Sequence, residues 1–264
     1  MQGKIYTFEE KKDEVDANPG FKVPADRITV SCFEYMARIM ELRSFIGFFF
    51  DMVKSSQKLS EEIPAIKEEA VIYKLVQYDY SSHRQLVNEI FLSRSVESFD
   101  LYLQRILESI FLSKPEILKS EGKIEISTVI DFKSSEDLIA YIAGRKINEL
   151  SYKSLDDLSK YIKNTTGLDL FENEEIYYTI LLASEIRNLI AHNDCKVNER
   201  FLSKTKTIQE QIGVSDHGKI IISDEWVRTA SYILDGAVFR LDELAAAKFS
   251  LKTSFRYGMF IIRE

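Results

Sequence analysis

The chain has 264 residues, 45% of them hydrophobic, and a formal net charge of −7. That length and apolar content can bury a sizeable core and exclude a disordered chain, while the acidic balance argues against a surface built for indiscriminate nucleic-acid binding, which needs Lys and Arg in numbers. Ten Gly and four Pro are few, so the composition predicts an all-α protein with long helices and at most minor short strands.

Two cysteines, Cys32 and Cys195, give no disulfide framework and fit a reducing, cytoplasmic setting. The Met1 region is rich in Glu and Lys, without an apolar signal segment. The most apolar run, Phe45 to Val53, is interrupted by Asp51 and is too short to span a bilayer, so no membrane partner is predicted.

Met1 to Pro24 is polar and mixed in charge, with a turn signal at Asn18-Pro19-Gly20 and a break at Pro24. From Asp26 to Leu59 the spacing of Ile28, Phe33, Met36, Ile39, Met40, Leu42, Ile46, Phe49 and Phe50 predicts a long helix with an aromatic end. Phe45, Phe48, Phe49 and Phe50 are expected in core packing or in a dimer contact rather than in a ligand box. Residues 1–60 are therefore read as an N-terminal helical appendage and 61–264 as the main helical domain. Ser60-Glu61-Glu62 followed by Ile63-Pro64 has the look of a new helix start.

The next helix is expected from about Ser81 to Leu112, stopped by Pro115, with Leu92, Val96, Phe99, Leu103, Ile106, Leu107 and Ile110 as its apolar stripe. Glu97 and Asp100 lie off that stripe, and His83 reads as a surface or capping residue. Lys123 to Phe132 alternates and is β-branched, so it reads as a short strand or an extended connector. Ser134 caps a helix through Ala143, and Ser154 caps another to about Asn164, ended by Gly167. A long helix follows Glu175. His217-Gly218 turns into a short strand at Lys219 to Ile222, and Ser223-Asp224-Glu225 starts a last helix containing Val227, Ile233, Leu234, Val238, Leu241 and Leu244. The tail from Lys248 carries Lys252, Arg256 and Arg263 against Glu264. Lys248, Lys252 and Arg256 are thus the basic candidates for touching RNA.

The chemistry concentrates at the end of the helix after Glu175, in Ser184 to Asp194. Ile176, Ile180, Ala183, Ile186, Leu189 and Ile190 recur at steps of three and four, which buries one face. Arg187 and His192 then leave from its flanks roughly 140° apart, whereas Asn188 and His192 share a stripe. One ideal helix cannot aim Arg187 and His192 at one atom. Either the last turn unwinds, or a second copy completes the site. No Gly-rich phosphate loop, zinc-type Cys/His spacing or nucleophile elbow occurs, so neither a metal nor any other cofactor is predicted. A His that moves a proton near neutral pH, an Arg that holds a phosphate by two hydrogen bonds and an adjacent amide form a sufficient kit for RNA. The same residues also permit a structural arrangement, with Arg187 paired to Glu185, Glu174 or another carboxylate and His192 donating to a carbonyl.

Arg187 to Phe201, RNLIAHNDCKVNERF, resembles the motif of a bacterial branch of the HEPN superfamily, and Ser95 to Leu118, SVESFDLYLQRILESIFLSKPEIL, resembles an earlier helix of that branch. The resemblance spans about Ser81 to Ser250. It implies a HEPN-like helical bundle acting as a metal-independent endoribonuclease, with Arg187, Asn188 and His192 as catalytic residues and Glu97, Glu185 and Asn193 in support. It further implies a homodimer in a toxin or antiphage setting, with an antitoxin or another defence protein as partner. The alternatives are a non-catalytic helical interaction protein and a partner of a nucleotidyltransferase. Cys195 departs from the pattern, which expects a Gly closing the helix; a non-Gly residue at positive φ costs on the order of 1 kcal/mol.

Overall fold

The computed structural model describes residues 25–62, 80–120, 124–206 and 212–255. These residues form an all-α protein: eight α-helices, one 3-10 helix at Pro115–Ser120 and four strands of two or three residues. In chain order they are β1 (Arg27–Thr29), α1 (Val30–Glu62), α2 (Tyr80–Ser113), α3 (Ile126–Ile130), α4 (Ser135–Ser151), α5 (Leu155–Thr166), α6 (Glu174–His192), α7 (Glu199–Thr205), β2 (Gly213–Val214), β3 (Ile220–Ile221), α8 (Asp224–Phe249) and β4 (Thr253–Phe255). No helix among them is long and apolar enough to cross a membrane. The turn at Asn18-Pro19-Gly20, the Ile63-Pro64 signal and Arg256 lie outside the described residues.

The chain divides into two compact units, neither continuous in sequence. The first takes Met1–Tyr35, Ser98–Ile180 and Tyr232–Glu264. Its apolar core includes Ile28, Phe99, Leu103, Ile106, Leu107, Ile110, Leu234 and Leu241, all buried. β1 and β4 pair antiparallel with Ile28 opposite Ser254, across more than two hundred residues of chain. Thr29 ends β1 and caps α1, its Oγ1 accepting from Cys32 N at 3.2 Å. Asp242 of α8 grips that cap from below, accepting from Thr29 N at 3.0 Å and from its hydroxyl. Tyr102 Oη lies 3.4 Å from the same carboxylate, and Tyr35 donates to Asp235 at 2.7 Å. Burial pushes the Asp242 carboxyl above the usual range, opposed by the bonds from Thr29.

Two caps follow the sequence closely. Ser134 accepts from Asp137 N ahead of α4, and Ser154 accepts from Asp157 N ahead of α5. Gly167 closes α5 in the left-handed conformation at φ 66°. α4 runs on to Ser151, well past Ala143, because Ile147 and Leu150 continue its spacing. The strand reading of Lys123 to Phe132 gives way to α3, where Ile126, Val129 and Ile130 also satisfy a helical i, i+3, i+4 pattern. Ser60 to Glu62 belong to α1.

The second unit takes Met36–Glu97 and Leu181–Ser231. Ile39, Leu92, Val96, Leu182, Ala183, Ile186, Leu189, Phe201, Ile222 and Val227 are buried in it. Along α1 the aromatic run divides: Phe49 and Phe50 are half-buried, whereas Phe45, Phe48 and, beyond them, Met52 are 61%, 63% and 52% exposed and left out of the core.

Candidate functional site

α6 carries the motif as the sequence implies. Ile180, Ala183, Ile186 and Leu189 are buried on one face, with Ile176 and Ile190 half-buried beside them. Arg187 and Asn188 are half-buried and His192 is exposed. The helix does not unwind before His192: Asn193 N still donates to Leu189 O at 2.9 Å, a continued i to i−4 bond. Arg187 and His192 thus stay on diverging sides of one regular helix. Asn188 and His192 keep their common stripe.

Beyond His192 the chain reverses through two consecutive non-glycine residues in the left-handed region, Asp194 at φ 49° and Cys195 at φ 60°. Cys195 N donates to Leu189 O at 3.1 Å and Asn193 Nδ2 to Lys196 O at 2.5 Å, which closes the helix end on itself. The turn is then tied to the β2–β3 hairpin. Ile220 N donates to Cys195 O at 2.9 Å and Val197 N to Gly218 O at 3.0 Å, and Lys219 pairs with Asp194 at 2.9 Å. The hydrogen bond and charge of Lys219 hold the Asp194 carboxyl below the usual range, and Asp194 raises Lys219 in return. The Cys195 thiol is pushed up to about 12, first by burial and then by its hydrogen bond to the Glu89 carboxylate and that group's charge.

The supporting residues have definite partners. Glu185 is buried and forms an ion pair with Lys204 of α7. Glu97 is exposed on α2 and pairs with Arg94 at 2.6 Å. Asn193 is spent on the turn. Lys248, in the first unit, lies 3.4 Å from Gly167 O, and Lys252 is exposed. His83 is half-exposed on α2, and His217 sits in the β2–β3 turn. Among the described residues no three His, Cys, Asp or Glu side chains gather in a metal-binding group.

Sequence reasoning passes over Lys204, which pairs with Glu185 within α6, and over Lys219, Gln85, Asn88 and Glu89, which bear on the helix end. Asn88 and Glu89 fall among ordinary polar helix positions, and nothing local marks them. Cys195 is the one legible signal: a non-glycine residue where a helix must close points to a turn that something else holds. Comparison with protein-family models, with curated proteins and with solved structures found no match.

Proposed function

We propose that this chain is a metal-independent endoribonuclease of HEPN type, and the observation that carries the reading is Arg187, Asn188 and His192 together at one regular helix end. His192 removes the proton from a 2′-OH, the freed oxygen attacks the adjacent phosphorus, and Arg187 balances charge on the non-bridging oxygens as the P–O5′ bond breaks. The leaving 5′ oxygen takes up a proton, so the products are a 2′,3′-cyclic phosphate and a 5′-OH. The divergence of Arg187 and His192 favours a symmetric dimer in which the segment 185–194 faces its own copy, each cleft drawing on both chains. A cytoplasmic toxin or antiphage effector restrained by a partner protein is the setting that the motif implies.

The test is incubation of purified protein with total RNA in the presence of chelator. Cleavage with cyclic-phosphate ends is expected, together with its loss in Arg187→Ala and His192→Ala at unchanged helical content. Mixing the two inactive variants under subunit exchange returns part of the activity if the cleft is shared. Cleavage that needs added Mg²⁺, or that persists when the scissile 2′-OH is replaced by hydrogen, removes the proposed reaction. A second reading, a non-catalytic interaction protein, draws on the exposed Phe45, Phe48 and Met52 of α1; it gains if wild-type protein leaves RNA intact.

A further inference from the structure

We infer that Gln85 and Asn88 of α2 are positioning residues for His192, latching through β3 the strained turn on which α6 ends. The inference rests on the ribonuclease reading for its catalytic consequence and on geometry for the latch itself.

The argument starts from strain. Asp194 and Cys195 are consecutive L-residues in the left-handed region, which L side chains disfavour, and such a pair persists where its surroundings over-determine it. Three contacts hold the turn directly: the Asp194–Lys219 ion pair, the Ile220 N to Cys195 O bond and the Cys195 thiol on Glu89. Two of them come from the segment Lys219–Ile220, so that segment adds to the bonds by which the helix end closes on itself.

Among the described residues β3 pairs with β2 over two residues and is flanked by the Lys196–Lys219 bridge, which is too little to stand alone. Its other edge meets the backbone of the turn at Cys195 to Val197 and, beside it, two side chains of α2. The Gln85 amide reads the backbone as a neighbouring strand does, donating from Nε2 to Ile220 O at 3.1 Å and accepting from Ile222 N at 3.0 Å. Asn88 Nδ2 donates to Ile222 O and to Asp224 Oδ1, both at 2.8 Å. Gln85 also donates to Glu89 at 2.8 Å, which aims the carboxylate that receives the Cys195 thiol. Gln85, Asn88 and Glu89 lie at i, i+3 and i+4, one face of α2. Asn88 is buried, and a backbone carbonyl deprived of its donor there is costly. Loss of either amide therefore loosens the segment Ile220–Ile222, and with it the turn that closes α6 directly after His192.

Two cysteines make the test internal. Cys195 lies in the latched turn and Cys32 in the first unit, and both are buried. Native protein is titrated with a disulfide thiol reagent as wild type, Gln85→Met and Asn88→Leu. Both thiols are expected to react slowly in wild type; in each variant Cys195 reacts at least about tenfold faster while Cys32 is unchanged. The variants cleave RNA with kcat lowered about 10- to 100-fold and KM unchanged, a loss of placement rather than of binding. Adding Cys195→Gly to Asn88→Leu restores most of the rate, because glycine removes the strain that the latch opposes. Unchanged Cys195 reactivity in both variants overturns the latch, as does joint acceleration of both thiols in both variants, which reports general loosening. Failure of the glycine rescue in an otherwise cleaving protein overturns the positioning role. If wild-type protein cleaves no RNA, the ribonuclease reading falls while the thiol rates still decide the latch.

Discussion

Two helix ends in this protein are each governed by an aspartate, and they are built in opposite ways. At the start of α1, Asp242 sits buried beneath the Thr29 cap and accepts two bonds from one residue, with Tyr102 close by. At the end of α6, Asp194 is exposed, sits at φ 49° itself and reaches sideways to Lys219. Buried and well bonded, the first arrangement forfeits much if any member is lost, since the remaining groups have no water to turn to. The second is strained and solvated. It suits a place where a side chain must be held out for use rather than packed away.

The largest expected effect comes from breaking the buried end. Asp242→Ala strands Thr29 N and two hydroxyls in the core and is expected to cost about 3 kcal/mol, read as a lower denaturant midpoint at unchanged slope. Removing the side chain at the exposed end, Asp194→Ala, is expected to cost no more than about 1 kcal/mol, since a surface ion pair contributes little and alanine adds only the strain of a left-handed position. A similar loss from both variants would erase the contrast. Between the two lies Lys204→Ala, which leaves the buried Glu185 carboxylate unpaired and is expected to cost about 2 kcal/mol, moderated because Lys204 itself is part-exposed. Glu185→Leu added to that variant recovers stability if the penalty is the stranded charge; no recovery means that α7 is held in another way.

Helical stripes and local caps were more legible in the sequence than the distant partners of either helix end. The apolar stripes of α2 and α6 were plain, because helical spacing is local and burial follows it. Ser134, Ser154 and Gly167 announced their caps by residue type. The grip of Asp242 on Thr29 was not legible, since it joins positions more than two hundred residues apart. Nor was the pairing of β1 with β4. Around the candidate site, Arg187, Asn188 and His192 stood out as a motif, whereas Gln85, Asn88 and Lys219 matter only through backbone groups that the tertiary fold brings to them. Apolar spacing gave the long helix α1, but Phe45 and Phe48 lie off its stripe and are exposed. It misled at α3, where a short β-branched run fits either period.

Acid separates the two ends more gently than mutation, because their carboxyl groups are displaced in opposite directions. Asp194 titrates below its unfolded value, so its contribution is present above the ordinary carboxylate range and is lost as pH falls through the lowered folded value. Asp242 titrates above its unfolded value. The folded state therefore binds that proton first, and its contribution grows as pH falls from the raised folded value toward the unfolded one, below which it stays constant. Hydrogen exchange followed from neutral pH downward is expected to lose protection at the Cys195 and Ile220 amides in the acid range while Thr29 and Cys32 keep theirs. Loss at Thr29 first would invert the comparison.

The smallest effect tests whether the exposed side of α1 is free. Gly47 lies inside α1, between Phe45 and Phe48, and a Cβ built on it meets nothing within 4 Å. Glycine in a helix interior is destabilising by about 0.5–1 kcal/mol relative to alanine, chiefly through the freedom it gives the unfolded chain. If this side faces water in the working protein, Gly47→Ala stabilises by that amount, and Phe48→Asp changes stability by no more than about 0.5 kcal/mol, as expected of a surface position. If the side is covered, whether by another copy or by another protein, the added methyl meets the covering surface and the sign of the alanine effect changes with protein concentration or with addition of the partner. Chemical denaturation at two protein concentrations an order of magnitude apart reads this directly. A gain that is the same at both leaves Phe45, Phe48 and Met52 as solvent-facing aromatic and thioether groups, and a loss confined to the higher concentration marks the side as a self-contact.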